Sequence, residues 1–452
     1  MKKKEWDLES LQQQMLDLTE EYAEENPEGW FEPSFREGIF GKAAVIYLML
    51  LQAIEKVSMS GVIEMMQTGA ADLILKNNEN SGRLFPLKIS NNTGGYSQAR
   101  SKLEKEEVEE ITESMNQAFI KKSCGEEDEP VFLLDGTTVV LQKTKDIEKE
   151  YPRRRNQNRK YNHPEALVLF ATHLRSGVGV SPVFGPAGGK KATSEQRLCK
   201  KIFASQKVSS LFMGDANFGV FSVVSHAKAN GHKVLMRLTE VRANKLHERA
   251  RGNVDMPITW GRSRHDKLLD KKDPPQVEGR LIETTLHRKG FRSIRLRLFT
   301  TSTLPAQQLI ELYAKRQNIE TDFRYLKYMF KAEELYSKSA DGVAKEILIR
   351  FAAYNLMRGI VFEAAYQVGL EPREISFGRA VSIVRTFASA LHTASSRERK
   401  KYLLERFLAC IRSARLPKRP KKRFEPRKLT RARRKFPSMR LSRQAERALL
   451  RN

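Results

Sequence analysis

VFLLDGTTVVL, residues 131–141, is the stretch on which the fold turns. Four apolar residues run unbroken into Asp-Gly, and β-branched Thr and Val follow. A short continuous apolar run bounded by Gly reads as a strand covered on both faces, unlike the strict alternation of a half-exposed one. SSLFMGDANFG, residues 209–219, repeats the pattern. In each the aspartate closes the apolar run, Asp135 after VFLL and Asp215 after LFMG. The carboxyl end of buried strands is where open α/β sheets bind ligands.

Working outward, LVLFATHLRSG (167–177) and VGVSPVFGPA (178–187) predict a hairpin across Ser176-Gly177, and EQRLCKKIFASQKV a crossover helix. FSVVSHAKANG reads as helix, HKVLMRL as strand and IRLRLFTTS as a later strand. The order β-β-β-α-β-α-β predicts a mixed α/β sheet. Residues 1–125 read as a helical N-terminal region, with one helix expected through YSQARSKLEKEEVEEITESMNQAF after the Gly/Asn/Ser-rich loop 77–95. The expected core comprises residues 126–238 and 291–340, interrupted by a β-rich insertion at 239–290. C-terminal helices at 341–410 and a basic tail at 411–452 complete the chain.

Charge narrows the partners. Against 54 Asp plus Glu stand 81 Lys plus Arg, a formal net charge of +27. Such a field favours a polyanion, nucleic acid first. It is uneven: residues 1–29 hold nine acids and three lysines, whereas residues 411–452 hold 17 Lys plus Arg and two Glu. On charge alone an RNA-binding protein fits as well as a DNA-binding one. The longest apolar run, AAVIYLMLL (43–51), is about half of the ~20 residues needed to span a bilayer, so a buried helix is expected and no membrane partner. No apolar segment follows the first lysines, and a cytoplasmic protein is expected. Cys124, Cys199 and Cys410 lie far apart without a C-x-x-C pair, which argues against a disulfide framework or a thiolate zinc site.

If the strands of Asp135 and Asp215 are neighbours, their carboxylates converge and repel unless protons or cations hold them. A hard divalent ion such as Mg²⁺ suits that donor set, and two such ions can clamp both oxygens of a phosphoryl transfer. Either aspartate alone equally suits a turn, as Asp135-Gly136 would. A third acid comes from YAKRQNIETDFRYLK, residues 313–327. On one continuous helix Tyr313, Arg316, Glu320 and Lys327 share a sector of about 60°. They lie beside the apolar stripe of Leu312, Ile319, Phe323, Leu326 and Phe330. A solvated face with i,i+4 pairs has the same look; the two upstream aspartates favour a site.

The spacing Y-x2-R-x3-E-x6-K, in Tyr313, Arg316, Glu320 and Lys327, resembles the signature of DDE transposases of bacterial insertion sequences, the IS-four family. DGT at Asp135 and Asp215-Ala-Asn-Phe218 resemble that family's first and second acidic blocks, and YSQARSKL (96–103) the element before its core. The resemblance implies an RNase H-like core. It implies that Asp135, Asp215 and Glu320 are catalytic and hold Mg²⁺, for which Mn²⁺ can substitute. It also implies that Tyr313, Arg316 and Lys327 hold DNA phosphates. The implied partners are double-stranded DNA, as terminal inverted repeats and as target, and a second copy of the chain in a synaptic complex. The implied reaction is cleavage at the element ends and joining of the 3′-OH to target DNA; a catalytically inactive DNA-binding derivative is the alternative. In the insertion, Trp260 beside Arg262 and Arg264 resembles the family's base-stacking aromatic, although a Trp closing a small β core reads equally well. PRRRNQNRKYNH (152–163) reads as phosphate contacts or as a solvated charged loop.

Overall fold

The computed structural model describes residues 40–67, 90–125, 129–154, 163–247, 253–263, 270–287, 293–331, 334–392 and 396–417, besides positions 444 and 448. Helices α1 (Lys42–Glu55), α2 (Met59–Gln67), α3 (Gly94–Lys102) and α4 (Lys105–Cys124) precede β1 (Val131–Val140). There follow α5 (Lys145–Glu150), β2 (Glu165–His173), β3 (Val183–Pro186), α6 (Glu195–Ser205), β4 (Leu211–Gly214), α7 (Phe221–Ala229), β5 (Lys233–Arg237) and α8 (Glu240–Leu246). Then come β6 (Val254–Gly261), β7 (Gln276–Leu286), β8 (Ile294–Thr300), α9 (Ala306–Ala314) and α10 (Asn318–Met329). The last helices are α11 (Ala340–Gln367), α12 (Phe377–His392) and α13 (Arg397–Ser413).

The described strands form one sheet in the order β3-β2-β1-β4-β5-β8-β7-β6. β1 pairs parallel with β4 and β4 with β5, whereas β2 is antiparallel to both β1 and β3. Among the first five strands β2 alone is reversed, the arrangement of an RNase H-like α/β core. β8 joins antiparallel to β5, and the antiparallel hairpin β6–β7 from residues 239–290 lies at the far end of the same sheet. The parallel pairing of β1 and β4 runs only from Val131–Leu211 to Leu133–Met213. β1 itself continues to Val140 against β2, because Thr137, Thr138, Val139 and Val140 suit a pleated surface. Asp135 is therefore mid-strand, not at a strand end, but it lies just past the parallel segment, where β1 and β4 part.

Both faces of the sheet are covered. On one, Phe132 stacks on Phe212 with centroids 5.6 Å apart, and Phe203 of α6 meets Phe212 edge-on at 4.9 Å. On the other, Phe170 of β2 meets Phe351 of α11 at 4.6 Å and Phe323 of α10 at 6.4 Å. α11 is buried on nearly every side from Val343 to Arg358, as a helix in the middle of a domain must be. Its charged residues are all paired or hydrogen-bonded: Lys345 to Asp341 at 2.5 Å, Arg350 to the Phe330 and Glu334 carbonyls, each at 2.9 Å, and Arg358 to Asp322 at 2.5 Å. α4 docks on it through Asn355 Nδ2 and Asn116 Oδ1, 2.7 Å apart, and through Lys122 and Glu363 at 2.9 Å. No single helix among the described residues is long and apolar enough to cross a membrane.

Two expected helices are each broken. YSQARSKLEKEEVEEITESMNQAF divides at Leu103-Glu104, where Glu104 caps α4 in a reciprocal box with Glu107. YAKRQNIETDFRYLK passes from α9 through a 3₁₀ turn, Lys315–Gln317, into α10. By contact the chain divides into two units, Met1–Thr285 with Arg295–Leu416, and Leu286–Ile294 with Pro417–Asn452. Most of the basic tail falls in the second unit. It lies outside the described residues, and so do residues 1–39, Arg264, and 155–162 of the basic loop.

Candidate active site

The pleat puts Asp135 opposite Phe170, on the face that carries α10 and α11. The Gly136 amide donates to Asp135 Oδ1 at 2.9 Å. Burial raises the Asp135 pKa, with that amide and Arg316 opposing and the negative charges of Asp215 and Glu320 adding to the rise. The three acids separated in sequence thus share one electrostatic environment. Asp215 follows β4 directly, and its Oδ1 accepts the Asn217 amide at 2.8 Å. The loop after it is held by Arg242, which donates to the Ala216 carbonyl, and by Gln196 Nε2, 2.9 Å from the Asn217 carbonyl.

Glu320 sits in the first turn of α10, its side chain 58% exposed and its Oε1 3.3 Å from Arg316 Nη2. Tyr313, at the end of α9, is buried, and its hydroxyl makes no hydrogen bond of ordinary geometry among the described residues. Burial raises its pKa to about 12, with Arg316, Arg237 and Asp215 as charged neighbours. Break and 3₁₀ turn notwithstanding, Arg316 and Glu320 act electrostatically on Asp135, and Asp215 acts on Tyr313. Lys327 lies two turns further along α10, half-buried.

α10 is fixed from behind by Asp322. Its fully buried carboxylate accepts from Arg358 at 2.5 Å, from both Arg373 terminal nitrogens at 3.1 and 2.9 Å, and from Thr172 Oγ1 at 3.1 Å. Burial would raise this carboxyl, but Arg373, Arg358 and the hydrogen bonds together hold it below its ordinary value.

A fourth carboxylate belongs to the cluster and was not singled out from the sequence. Glu195 opens α6, after the cap Ser194, so that by sequence it reads only as an acid favoured at a helix N-terminus. Folded, it has its pKa raised by burial first and then by Asp135 and Asp215, with Asn217 opposing.

Asp215 adds to the cost of ionising Asp135, and hard carboxylates so placed fit a hard divalent cation, so Asp135 and Asp215, with Glu320 acting on the same group, suit Mg²⁺. Their oxygens are not drawn as close as those of another cluster. His226, Asp270 and Asp273 are the described group whose donor atoms all lie within 4.8 Å of one another. That group is already tied by His226 Nδ1 to Asp273 Oδ2 at 2.6 Å and by Lys200 to Asp270 at 2.9 Å, and it pins α7 to the loop before β7. Trp260 is half-buried and packs edge-on against Phe299 at 4.9 Å and beside Phe221 at 6.1 Å. Arg262 is exposed, its amide donating to the Pro275 carbonyl at 2.9 Å.

A sequence model of a family described as "Transposase DDE domain" matches residues 126–356. No curated protein matches the chain. Among solved structures, one match is a cryo-EM structure of a piggyBac transposase synaptic complex with hairpin DNA. Identity is 11%, the match covers 87% of this chain and 81% of that chain, and the TM-score is 0.39.

Proposed function

The chain belongs to the transposase DDE-domain family, and from that premise we propose that it is an insertion-sequence transposase of the IS-four type that cuts at its terminal inverted repeats and joins the 3′-OH ends to target DNA. The observation that carries this reading is that Asp135, from mid-β1, feels the charges of both Asp215 and Glu320, which come from other elements. Asp135, Asp215 and Glu320 would hold the Mg²⁺ ions, with Mn²⁺ able to substitute. Bound there, such ions supply Lewis-acid stabilisation of the attacking and leaving oxygens at the scissile phosphate.

The chain's own groups bind and orient DNA. Arg316, its side chain 18% exposed, offers a planar fork that pairs with Glu320 here and fits a phosphate equally well. Tyr313 brings a buried hydroxyl beside Arg316 that its raised pKa keeps protonated, a donor for a phosphate oxygen. Lys327 extends the same helix face as a further phosphate contact. Trp260, Arg262 and Arg264 are assigned to the transposon end near the scissile bond, and the N-terminal region 1–125 to end binding. Two ends must be held together, so the working complex contains at least two copies of the chain, acting at the bacterial nucleoid in the cytoplasm. A catalytically inactive DNA-binding derivative is the competing reading, favoured only by the exposed, Arg316-paired state of Glu320.

An oligonucleotide bearing the terminal repeat separates the two. The protein should nick it only with Mg²⁺ or Mn²⁺, and Asp135→Ala, Asp215→Ala and Glu320→Gln should each abolish nicking while end binding persists. Normal cutting by Asp215→Ala protein would overturn the assignment of the site.

A further inference from the structure

Gly136, directly after Asp135, and Asn217, two residues after Asp215, share a neighbour. Gly136 lies on the face of β1 opposite Asp135, toward α6. A Cβ there would fall 2.1 Å from Glu195 Oε1 and 2.6 Å from its carboxyl carbon, so any other residue would push this carboxylate away. Asn217 donates its side-chain amide to Glu195 Oε2 and its backbone amide to Asp215 Oδ1. A strand glycine and a bridging asparagine thus seat this half-buried acid beside Asp215, just under the strand that carries Asp135. Carboxylates gathered in this way suit a hard divalent cation, which takes several of them as ligands.

We infer that Glu195 is a fourth carboxylate of the metal-holding site, reaching it from the face of the sheet opposite Glu320. The inference rests on the proposed reading of Asp135 and Asp215 as metal-holding residues. With Glu195 the site gains a carboxylate that has no arginine partner among the described residues, whereas the Glu320 carboxylate lies 3.3 Å from Arg316. In the metal-bound chain before DNA arrives, Asp135, Asp215 and Glu195 hold the ion while Glu320 stays with Arg316. The glycine after the first aspartate and the asparagine two after the second then have a chemical purpose: they make room for Glu195 and aim it.

Glu195→Gln tests this, because glutamine retains an oxygen to accept from Asn217 and removes only the charge. Mn²⁺ binding to the full-length, DNA-free protein, followed by electron paramagnetic resonance, should weaken about tenfold or more. The Mg²⁺ concentration needed for half-maximal nicking should rise by a similar factor. Gly136→Ala, which leaves Glu195 intact but displaces it, should shift both in the same direction, and it serves if the first variant fails to fold. Mn²⁺ affinity within twofold of wild type in Glu195→Gln, with Asp135→Asn and Asp215→Asn both losing Mn²⁺, overturns the role of Glu195 and leaves the site standing. Undiminished Mn²⁺ binding by Asp135→Asn and Asp215→Asn overturns the site reading and this inference with it.

Discussion

Asp322→Asn should unfold the protein at markedly lower urea, whereas Glu320→Gln, two residues earlier on the same helix, should leave the unfolding midpoint where it was. Asp322 is fully buried and receives two guanidiniums, one of which, Arg358, is itself 3% exposed. Removing the negative partner of such a pair leaves uncompensated buried charge, which typically costs ~3–5 kcal/mol. Asparagine retains one acceptor, and the Arg373 side chain is 19% exposed and partly solvated, so the lower end applies. At a urea m-value of roughly 3 kcal/mol/M, about 3 kcal/mol is a fall of about 1 M in midpoint. The Glu320 side chain is 58% exposed and makes one ion pair at 3.3 Å, so its neutralisation should stay within about 0.5 kcal/mol. The acid limb gives an independent reading. A carboxyl held low in the folded state contributes in full above its unfolded value, 3.8, and loses that contribution as pH falls through the lower folded value. Wild type should therefore shed stability below pH 3.8 and Asp322→Asn should shed less. The experiment is urea unfolding followed by circular dichroism from pH 2.5 to 7.5. Equal midpoints for Asp322→Asn and Glu320→Gln would refute the assignment of Asp322 as the anchor of α10.

Three further outcomes follow from the groups of the site. The Asp135 carboxyl is raised by burial and by Asp215 and Glu320, so its ionisation opposes folding; metal-free Asp135→Asn should melt higher than wild type at pH 7.5, and the gain should vanish below pH 3.8, where folded and unfolded chains both hold the proton. Mg²⁺ should raise the melting temperature of wild type and leave that variant unmoved. Tyr313→Phe removes a buried hydroxyl with no hydrogen bond of ordinary geometry to lose, so its urea midpoint should not fall, while nicking of the terminal-repeat oligonucleotide should drop; an unchanged rate would remove Tyr313 from the site.

The sequence by itself determined the strands and the acids that end up together. Buried strands of a sheet covered on both faces must be continuously apolar, so VFLL and LFMG were legible, and the spacing from Tyr313 to Lys327 marked a face before any fold was known. What it could not show is where pairing stops. Asp135 is mid-strand because β1 has two neighbours of unequal length: parallel pairing with β4 ends at Leu133 while pairing with β2 continues to Val140. The break of α9 from α10 was likewise hidden, since a 3₁₀ turn hardly disturbs an apolar stripe. Glu195 and Asp322 were beyond local reading for a stronger reason. One looks like an ordinary acid at a helix start and the other like an acid on a polar helix. Only the tertiary structure sets the first against Gly136, where there is no Cβ, and seals the second among Arg358, Arg373 and Thr172. The energy of a charge depends on its distant neighbours and on the loss of water, and neither is a property of the few residues beside it in the chain.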